Sequence, residues 1–548
     1  MFGRYSNQRM TTFLEDIGSL RRTLKAVFSD AGMGEDFVNC HVEWHLFTSW
    51  MEHIFTNAIK EFQLLPMDKY LEKFNRDLDY HEIMGLIFKD ELLSNVVEIL
   101  IAQNFKSIET EKFRKDLDKS RRYLSRSLKE SQKDRLAEAL DNINKALLFA
   151  PFPMDGVDHQ SKSQLSFCLM TRAHLLRKLG HYNVCEKDLN DSMKYFALGK
   201  VNNYEKNIAA ELLTLQDLKT PPTEAESVAR RLVNLNPVSE RIHGAVPYLS
   251  LSYEKNKGRI IITQNDIQKG TKLLVEEPFC TWLAPFLYSQ YCFRCFNVLD
   301  NYFFPCRKCV LVRYCSSACE EESWKSYHSY ECQYISFLRF LGAGHFALRC
   351  LSVDGLDESI SLYRKSLQDK RKEPKLSRSF LNNYQDIFTL MSKDNNSAML
   401  PKLAFLSKFI AHLACSMRLV QDGAVFDLSC LLLKQFGIGY LNSFFITDHG
   451  YNQLKLPGTS VDEDTAKEIG MGLYASASLI SHSCDPNCEK YFICDKILIL
   501  SRAPIEKGEE ITISYGPNAV VHSYHQRQAL LESTHGFKCS CKLCLKHE

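Results

Sequence analysis

The sequence has almost no excess of charge of either sign. Its 548 residues include 68 lysines and arginines and 66 aspartates and glutamates, which gives a net charge of +2 at pH 7. A chain with this balance has no overall field that would draw it to nucleic acid or to an anionic membrane. Any such binding must be local, and we predict no direct nucleic-acid partner.

The sequence also lacks long apolar runs. Its opening segment has no uninterrupted apolar core of a secretory signal, and no later stretch reaches the roughly eighteen uncharged residues of a membrane span. The hydrophobic fraction of 45% and the charged fraction of 24% are ordinary for globular proteins, which excludes extended disorder and coiled coil for most of the length. We predict a protein of the cytoplasm and nucleus without membrane association, and we expect a monomer.

The N-terminal part of the chain has few turn signals and many apolar residues at helical spacing. We therefore predict an all-α region over residues 1–235. Two helical units within it resemble tetratricopeptide repeats, with Ala139 and Cys185 at corresponding small-residue positions. Their separation exceeds the usual repeat of about 34 residues, which suggests an insertion over residues 151–164. An ordinary helical hairpin with small residues at the crossings is the alternative.

After Pro237 the pattern changes to short β-like runs. They fall at residues 259–263, 272–276, 493–500 and 511–515, and a helical stretch over residues 335–436 separates the first two from the last two. A charged loop is predicted near residues 365–375. Strands that are followed by helices and then by strands again predict an α+β domain with a helical insert.

Cysteine is abundant, and its spacing is informative. In a reducing compartment the 20 cysteines are not expected to form disulfides. Four pairs of potential ligands lie within residues 292–332, and eight such ligands predict two closed zinc sites. Spacing alone leaves open which pairs share an ion. The pairs are Cys292/Cys295, Cys306/Cys309, Cys315/Cys319 and His328/Cys332.

A second cysteine cluster lies near the C-terminus. Cys539, Cys541 and Cys544 form a Cys-x-Cys-x2-Cys motif, which leaves a tetrahedral zinc ion one ligand short. The candidate for the fourth ligand lies upstream, in the segment Ser-His-Ser-Cys-Asp-Pro-Asn at residues 481–487.

These motifs carry a family resemblance. The first cluster, with Tyr314 before Cys315 and Trp-Lys-Ser-Tyr-His at residues 324–328, resembles the MYND zinc finger. Residues 481–487, followed by Gly-Glu-Glu-Ile-Thr-Ile-Ser-Tyr at residues 508–515, resemble the SET domain. Together they are similar to the SET-and-MYND family of protein lysine methyltransferases, in the subfamily with tetratricopeptide-like repeats.

The resemblance implies a domain plan and a metal plan. The fold class is a multidomain α+β protein: a helical region at residues 1–235, a β-rich SET domain at 236–516 with a helical insert, an inserted finger at 292–332, and a zinc-binding post-SET segment at 517–548. In the finger, the first and third ligand pairs would share one zinc ion, and the second and fourth pairs the other. Cys484 would complete the C-terminal cluster, which gives three zinc ions per chain.

The resemblance also implies a reaction site. S-adenosylmethionine would be the methyl donor, Tyr515 the catalytic residue, and a lysine-bearing peptide of a histone or another protein the acceptor. Only the neutral amine of lysine, whose reference pKa is about 10.4, can attack the methyl group, so a narrow aromatic channel that removes water favours transfer. The cofactor-binding residues would be Lys257, Gly258, Arg259, Asn442, Ser478, Ser481, His482, Tyr515 and Phe537.

Two residues depart from the family pattern on the cofactor side. Ser481 replaces an asparagine whose amide holds the cofactor, and the lost hydrogen bond would cost about 1–3 kcal/mol. Ile260 replaces the second glycine of a Gly-Arg-Gly turn, and a β-branched residue resists positive φ and close backbone approach. A scaffold without activity, acting as an adaptor or transcriptional co-regulator, is therefore the alternative to the enzyme.

The finger itself carries as many acidic as basic residues, which disfavours binding to DNA phosphates. The resemblance implies capture of proline-rich peptides instead. The aromatic candidates for that surface are Tyr302, Phe303, Phe304 and Trp324, with core packing as the alternative for some of them.

Overall fold

The structure is a computed structural model, and it divides into two compact units, Met1–Asn75 and Arg76–Glu548. The first unit lies outside the described residues, and so do the predictions made for it. The described residues are 78–91, 94, 97, 101, 113–153, 163–200, 204–218, 221, 224–255, 257–300, 302–368, 379–392, 400–448 and 467–547.

The described residues before 235 are helical, as predicted. The helix over residues 136–149 buries one apolar face, which consists of Ala139, Leu140, Ile143, Ala146 and Leu147. The helices are α1 (Tyr80–Phe88), α2 (Leu117–Gln132), α3 (Leu136–Phe149), α4 (Gln164–Lys178), α5 (Tyr182–Leu198), α6 (Glu205–Leu215) and α7 (Glu224–Leu232), with a 3₁₀ turn at Gln216–Leu218.

Helices α2 and α3 form an antiparallel hairpin. The Ser127 hydroxyl donates to the Ala139 carbonyl at 2.7 Å, and the Ser120 hydroxyl donates to the Ala146 carbonyl at 2.8 Å. Residues early in one helix thus face residues late in the other, and small side chains allow this close approach. Helices α4 and α5 form a second hairpin around Gly180, which has a positive φ of 79°. Most of the predicted insertion, residues 154–162, lies outside the described residues.

The β-strands of the described residues form five small sheets. The strands are β1 (Leu249–Glu254), β2 (Gly258–Thr263), β3 (Lys272–Glu276), β4 (Cys280–Leu283), β5 (Phe304–Pro305), β6 (Arg313–Tyr314), β7 (Ser443–Asp448), β8 (Lys467–Leu473), β9 (Ser481–His482), β10 (Cys488–Ile493), β11 (Lys496–Ser501) and β12 (Thr512–Ile513). The strand orders in the sheets are β1-β2, β10-β11-β3, β4-β8-β7, β5-β6 and the parallel pair β12-β9.

Two of the four strand predictions hold closely, since β2 and β3 cover residues 259–263 and 272–276. The prediction of one strand over residues 493–500 is wrong. The chain turns at Cys494, whose φ of 56° is left-handed, and β10 and β11 pair as a hairpin around this turn. The run predicted at residues 511–515 is shorter, because only Thr512 and Ile513 pair with β9.

The predicted helical stretch lies between the strands. Lys365 belongs to the helix Leu356–Gln368 rather than to the predicted charged loop, because Leu356, Ile360 and Tyr363 form a buried helical face. Residues 369–378, which include the rest of that loop, lie outside the described residues. The helices after β6 are α8 (Ser317–Ser323), α9 (Ser329–Glu331), α10 (Ile335–Leu338), α11 (Ala343–Ser352), α12 (Leu356–Gln368), α13 (Tyr384–Phe388), α14 (Leu400–Ser416), α15 (Val425–Asn442), α16 (Tyr524–His535) and α17 (Lys542–Leu545). Single turns lie at Pro285–Leu287, Trp324–His328, Arg339–Leu341, Asp422–Ala424 and Ala477–Leu479.

Helix α15 is the central helix of the insert. Among the described residues, one helix, Asp422–Asn442, is long and apolar enough by composition to cross a membrane, and 56% of its apolar window is buried in the protein. Asp427 on this helix forms an ion pair with Arg364 of α12 at 2.7 Å. Burial on several sides indicates a core helix.

Candidate functional site

The finger brings its ligand pairs together in the interleaved arrangement that the resemblance implied. The short hairpin β5-β6 pairs Phe304 with Tyr314, so the segments that carry the second and third ligand pairs lie side by side. The Ser316 hydroxyl caps α8 by accepting the Cys319 amide, which places the end of the third pair on a helix. The two groups are Cys292, Cys295, Cys315, Cys319 and Cys306, Cys309, His328, Cys332.

The third group forms at the C-terminus. Cys484 meets Cys539, Cys541 and Cys544, and the Sγ atoms of Cys484 and Cys544 are 3.5 Å apart. Together with Leu531, these cysteines form a small core against which Tyr515 packs. The metal ligands are thus a large part of the core that closes over Tyr515.

The geometry of the three groups fits zinc. With Zn–S bonds of about 2.3 Å, tetrahedral ligands stand about 3.8 Å apart. The Sγ atoms of Cys295 and Cys315 are 3.6 Å apart, and those of Cys306 and Cys332 are 3.8 Å apart. The Cys309 Sγ atom lies 3.7 Å from Nε2 of His328. Thiolate and imidazole donors at this spacing are the ligand set of closed structural zinc sites.

We predict three zinc ions per folded chain, one for each group, because each group supplies four ligands. Elemental analysis of the purified protein should give this ratio. The Cys415→Ser variant is the control, since Cys415 belongs to none of the groups and should keep all three ions. A folded protein with clearly two or fewer zinc ions would contradict the prediction.

A basic side chain that the sequence reasoning missed lies beside the C-terminal group. Arg527 is 1% exposed, and its Nη2 atom lies 3.9 Å from the Cys544 Sγ atom. Four thiolates around one zinc ion leave a net negative charge, which a buried guanidinium offsets. No cysteine motif points to this arginine, because it contacts the cluster from the face of α16.

Tyr515 is held by the segment that precedes Cys484. Its hydroxyl donates to the Ile480 carbonyl at 2.7 Å, and its amide donates to Nδ1 of His482 at 3.1 Å. Burial raises the pKa of Tyr515 above its ordinary value, which keeps the hydroxyl protonated. Burial, together with nearby cationic side chains, lowers the pKa of His482 to about 4, so its ring is neutral and Nδ1 can accept. The hydroxyl therefore has a fixed direction.

The crossing of two segments creates this arrangement. Strands β9 and β12 pair in parallel, which joins residues 481–482 to residues 512–513. The Asn487 side chain donates to the Glu510 carbonyl at 2.8 Å and accepts the Thr512 amide at 2.9 Å. Asn487 thus fixes the turn that brings the two predicted motifs into contact.

Asn442 and Ser478, both predicted on the cofactor side, are in contact. The Ser478 hydroxyl lies 3.2 Å from the Asn442 carbonyl and 2.5 Å from the Tyr474 carbonyl. The Asn442 amide donates to the carbonyls of Ile438 and Met391, at 2.8 Å each. The Asn442 side chain therefore caps the C-terminus of α15 and links the backbone of Met391 to this helix.

The predicted residues of the β1-β2 turn are engaged in contacts of their own. The Arg259 guanidinium donates to the Thr389 hydroxyl at 3.0 Å, and Lys257 pairs with Glu510 at 2.7 Å. Gly258 has a φ of 80°, a left-handed turn position that favours glycine. Phe537 is 36% exposed, with its ring centroid 6.2 Å from that of His482.

Spare hydroxyl groups mark this region as able to hold a polar ligand. The buried Ser443 hydroxyl, next to Asn442, has no hydrogen-bond partner. The Ser481 hydroxyl is half-buried and makes no hydrogen bond with the described part of the chain. Buried polar groups are normally paired, so the Ser443 hydroxyl fits the presence of a bound molecule. Sequence reasoning missed Ser443, because a serine at a strand start carries no signal of its own.

The expected backbone conflict at Ile260 is not found. Ile260 lies within β2, where it pairs with Ser252 of β1, and it is not among the residues with positive φ. The left-handed position falls at Gly258 instead. Ile260 is 7% exposed and serves as a buried strand residue, so its β-branched side chain is in the backbone conformation that suits it.

The predicted aromatic peptide surface of the finger is largely covered. Phe303 and Phe304 are 5% and 3% exposed. The Phe304 ring contacts the rings of Phe152 and Tyr195, with centroids 5.9 and 5.8 Å away. Core packing, the alternative in the sequence analysis, is correct for these two residues. Tyr302 contacts His181, and Trp324 lies beneath Arg307 and Lys308.

The helical hairpins and the finger share a buried polar contact as well. Arg172 of α4 forms a bidentate ion pair with Asp188 of α5 and also donates to the Phe303 carbonyl at 2.9 Å. Further back in the chain, the Phe113 carbonyl accepts the Val310 amide at 3.0 Å. The finger is therefore packed into the molecule and is not a separate appendage.

Comparison with known proteins identifies a domain family and several relatives. The SET domain family model matches residues 258–516. Protein-lysine N-methyltransferase SMYD4 of Homo sapiens is 24% identical, over 71% of this chain and 63% of that protein. Histone-lysine N-methyltransferase SMYD3 of Mus musculus is 24% identical, over 53% of this chain and 59% of that protein. The chain thus spans less than two thirds of the length of these relatives.

Among solved structures, the crystal structure of the SET domain of LSMT bound to lysine and AdoHcy is 13% identical, with a TM-score of 0.26 over 58% of each chain. This likeness is too low to transfer its ligands onto the present site. The matched family, the two relatives and the three zinc-type groups together carry the assignment. The chain contains a SET domain and is related to the SET-and-MYND protein-lysine methyltransferases.

Proposed function

We propose that this protein is an S-adenosylmethionine-dependent protein-lysine N-methyltransferase. The observation that carries the proposal is the orientation of the Tyr515 hydroxyl, which donates a hydrogen bond to the Ile480 carbonyl. The Tyr515 ring packs against the core formed by the C-terminal cysteine group. Two catalogued relatives carry this activity in their names. A tyrosine hydroxyl held in one direction can position the acceptor amine for methyl transfer.

The residues of this chain act by positioning and by excluding water. The acceptor amine would lie near Tyr515. The Ile480 carbonyl orients the Tyr515 hydroxyl, and this hydroxyl would in turn orient the amine. The rings of His482 and His535 flank Tyr515 at centroid distances of 5.3 and 5.0 Å, which limits the access of water. A desolvated lysine has a lowered pKa and loses its proton more readily.

The cofactor side is proposed around Ser443, Ser478 and Ser481, with Asn442 and the β1-β2 turn beside them. S-adenosylmethionine, when bound, supplies the activated methyl group. The hydroxyls of Ser443 and Ser481 would hold its polar atoms, because neither has a partner within the described residues. Lys257, Gly258, Arg259, His482 and Phe537 remain predicted contacts.

Partner binding is proposed for the helical hairpins more than for the finger. Helices α2 to α5 form two hairpins, which would act as tetratricopeptide-like repeats and offer a surface for peptides. The finger's proline-rich peptide surface would be reduced to the region of Trp324. We propose the cytoplasm or nucleus as the compartment, because zinc-binding thiolates need a reducing environment, and we keep a monomer as the proposed state. The domain boundaries of the sequence analysis stay predictions.

The alternative of an inactive scaffold rests on Ser481. At this position the family's asparagine would present an amide, whereas the serine side chain is shorter and presents only a hydroxyl. If cofactor binding is weak, the protein would act as an adaptor that binds partners through its zinc groups and its helical hairpins. The positive φ expected at position 260 no longer supports this alternative, because the Ile260 backbone is an ordinary strand; hindered approach of the cofactor to Ile260 stays a prediction.

A substitution at Ser481 tests the two functions. Ser481→Asn should tighten S-adenosylmethionine binding by about ten- to a hundredfold, the equivalent of one recovered buried hydrogen bond. Isothermal calorimetry of the purified protein measures the change, with Ser481→Ala as the matched variant that should bind more weakly than the wild type, because it removes the hydroxyl. If neither the wild type nor Ser481→Asn binds at millimolar cofactor, the scaffold is the better description.

A further inference from the structure

A buried carboxylate outside the predicted site stands at the base of the segment that holds Tyr515. Glu276 is the last residue of β3 and is fully buried. One of its oxygens accepts the Ser476 amide and the other accepts the Ala477 amide, each at 2.8 Å. Within the described part of the chain, no lysine or arginine forms an ion pair with it. Its hydrogen bonds therefore go to the backbone of one segment.

That segment leads directly to the tyrosine. The Ile480 amide donates to the Ala477 carbonyl at 3.1 Å, and the Ile480 carbonyl accepts the Tyr515 hydroxyl at 2.7 Å. The turn Ala477–Leu479 connects the two, and Ser478 on this turn bonds to the Asn442 carbonyl. An unbroken series of hydrogen bonds runs from Glu276 through Ala477 and Ile480 to Tyr515.

Burial without a cationic partner disfavours the charged form and raises the pKa of Glu276 to about 8. A glutamate placed here without a role in the local structure would therefore be unfavourable. Leucine would leave both amides without an acceptor, and glutamine offers only one acceptor oxygen. What an acceptor with two oxygens provides is the simultaneous hold on two adjacent amides, which fixes the direction of the turn that follows.

We propose that Glu276 is a positioning residue for methyl transfer, acting through Ala477 and Ile480 on the Tyr515 hydroxyl. The inference rests on the proposed function. It predicts that changes at Glu276 and at the Tyr515 hydroxyl are coupled, since both act on the same atom. Residues that share one hydrogen-bond network are non-additive in double-mutant cycles.

The test is a double-mutant cycle of Glu276→Gln with Tyr515→Phe. Glutamine keeps the size but presents an amide N–H to one of the two donors. Glu276→Gln alone should lower the transfer rate constant about tenfold, the effect of roughly one mispaired buried hydrogen bond. In the Tyr515→Phe background it should lower the rate no further. An equal loss in both backgrounds would overturn the proposal.

The control variant is Asp188→Asn, which makes the same change at a buried carboxylate of the helical hairpins. It should reduce the melting temperature without altering the transfer rate. If Asp188→Asn slows transfer as much as Glu276→Gln does, the effect of Glu276 is one of general stability and the proposal is wrong.

Amide hydrogen exchange provides a readout that needs no activity. Glu276→Gln should speed exchange at residues 474–482 and at the Tyr515 amide, which bonds to His482, whereas Asp188→Asn should not. Unchanged exchange at Tyr515 would overturn the positioning role. A wild type that transfers no methyl group, but whose exchange responds as expected, would instead refute the proposed function while the hydrogen-bonded link from Glu276 to Tyr515 stands.

Discussion

Replacing Tyr515 with phenylalanine is expected to lower the methyl-transfer rate constant by about 10²–10³, the usual cost of removing one oriented hydrogen-bond donor from a reaction site. The Tyr515 hydroxyl is protonated, and its hydrogen bond to the Ile480 carbonyl fixes its orientation. Phenylalanine removes this oriented hydroxyl but keeps the aromatic ring. The affinity for S-adenosylmethionine should stay as in the wild type, because the hydroxyl acts mainly in the transition state. Single-turnover transfer to a lysine-bearing peptide and calorimetry with the cofactor measure the two quantities.

Tyr524→Phe is the matched control for this experiment. Tyr524 packs against the same C-terminal core but belongs to α16, and its ring contacts those of His525 and His547. Its variant should transfer methyl groups at the wild-type rate. A Tyr515→Phe protein that retains full activity would remove Tyr515 from the reaction.

Changing one C-terminal zinc ligand is expected to have the second large effect. Cys541→Ser should release one of the three zinc ions and disorder the segment that follows residue 515, because the ligands themselves form most of the local core around Leu531. Both finger ions should stay bound, since the groups share no ligand. Zinc analysis together with amide hydrogen exchange of residues 515–547 measures the result.

The finger provides the complementary variant. Cys309→Ser should release zinc from the second finger group and leave the exchange rates of the C-terminal segment unchanged. Loss of all three ions in either variant would show that the groups are coupled in a way that their separate ligand sets do not provide. An unchanged zinc content in Cys541→Ser would remove that residue from the ligand set.

The sequence was enough to predict the metal ligands, but not which ligands share an ion. Cys-x2-Cys pairs and the i, i+4 pair His328/Cys332 indicate ligands through local spacing. Which pairs share an ion depends on contacts between segments that are distant in the chain, and here the family resemblance, not the spacing, supplied the answer that the structure agrees with.

The covered finger surface shows why other features stayed out of reach. The burial of Phe303 and Phe304 depends on Phe152 and Tyr195, which lie far upstream, and no local pattern distinguishes an aromatic residue that binds a peptide from one that packs against the same chain. The turn at Cys494 was missed for a related reason, because an unbroken apolar pattern on both sides hides a left-handed residue. Glu276 escaped notice since a lone glutamate at a strand end carries no motif.

The packing of the finger on the hairpins has a consequence for synthesis of the chain. Phe152 and Tyr195 leave the ribosome well before Phe304, which covers them in the finished protein. At bacterial or eukaryotic elongation speeds of about 5–20 residues per second, the gap is on the order of ten seconds. During this interval an apolar strip on the nascent hairpins is exposed to solvent, and a chaperone that binds exposed hydrophobic segments would protect it until the finger has folded around its zinc.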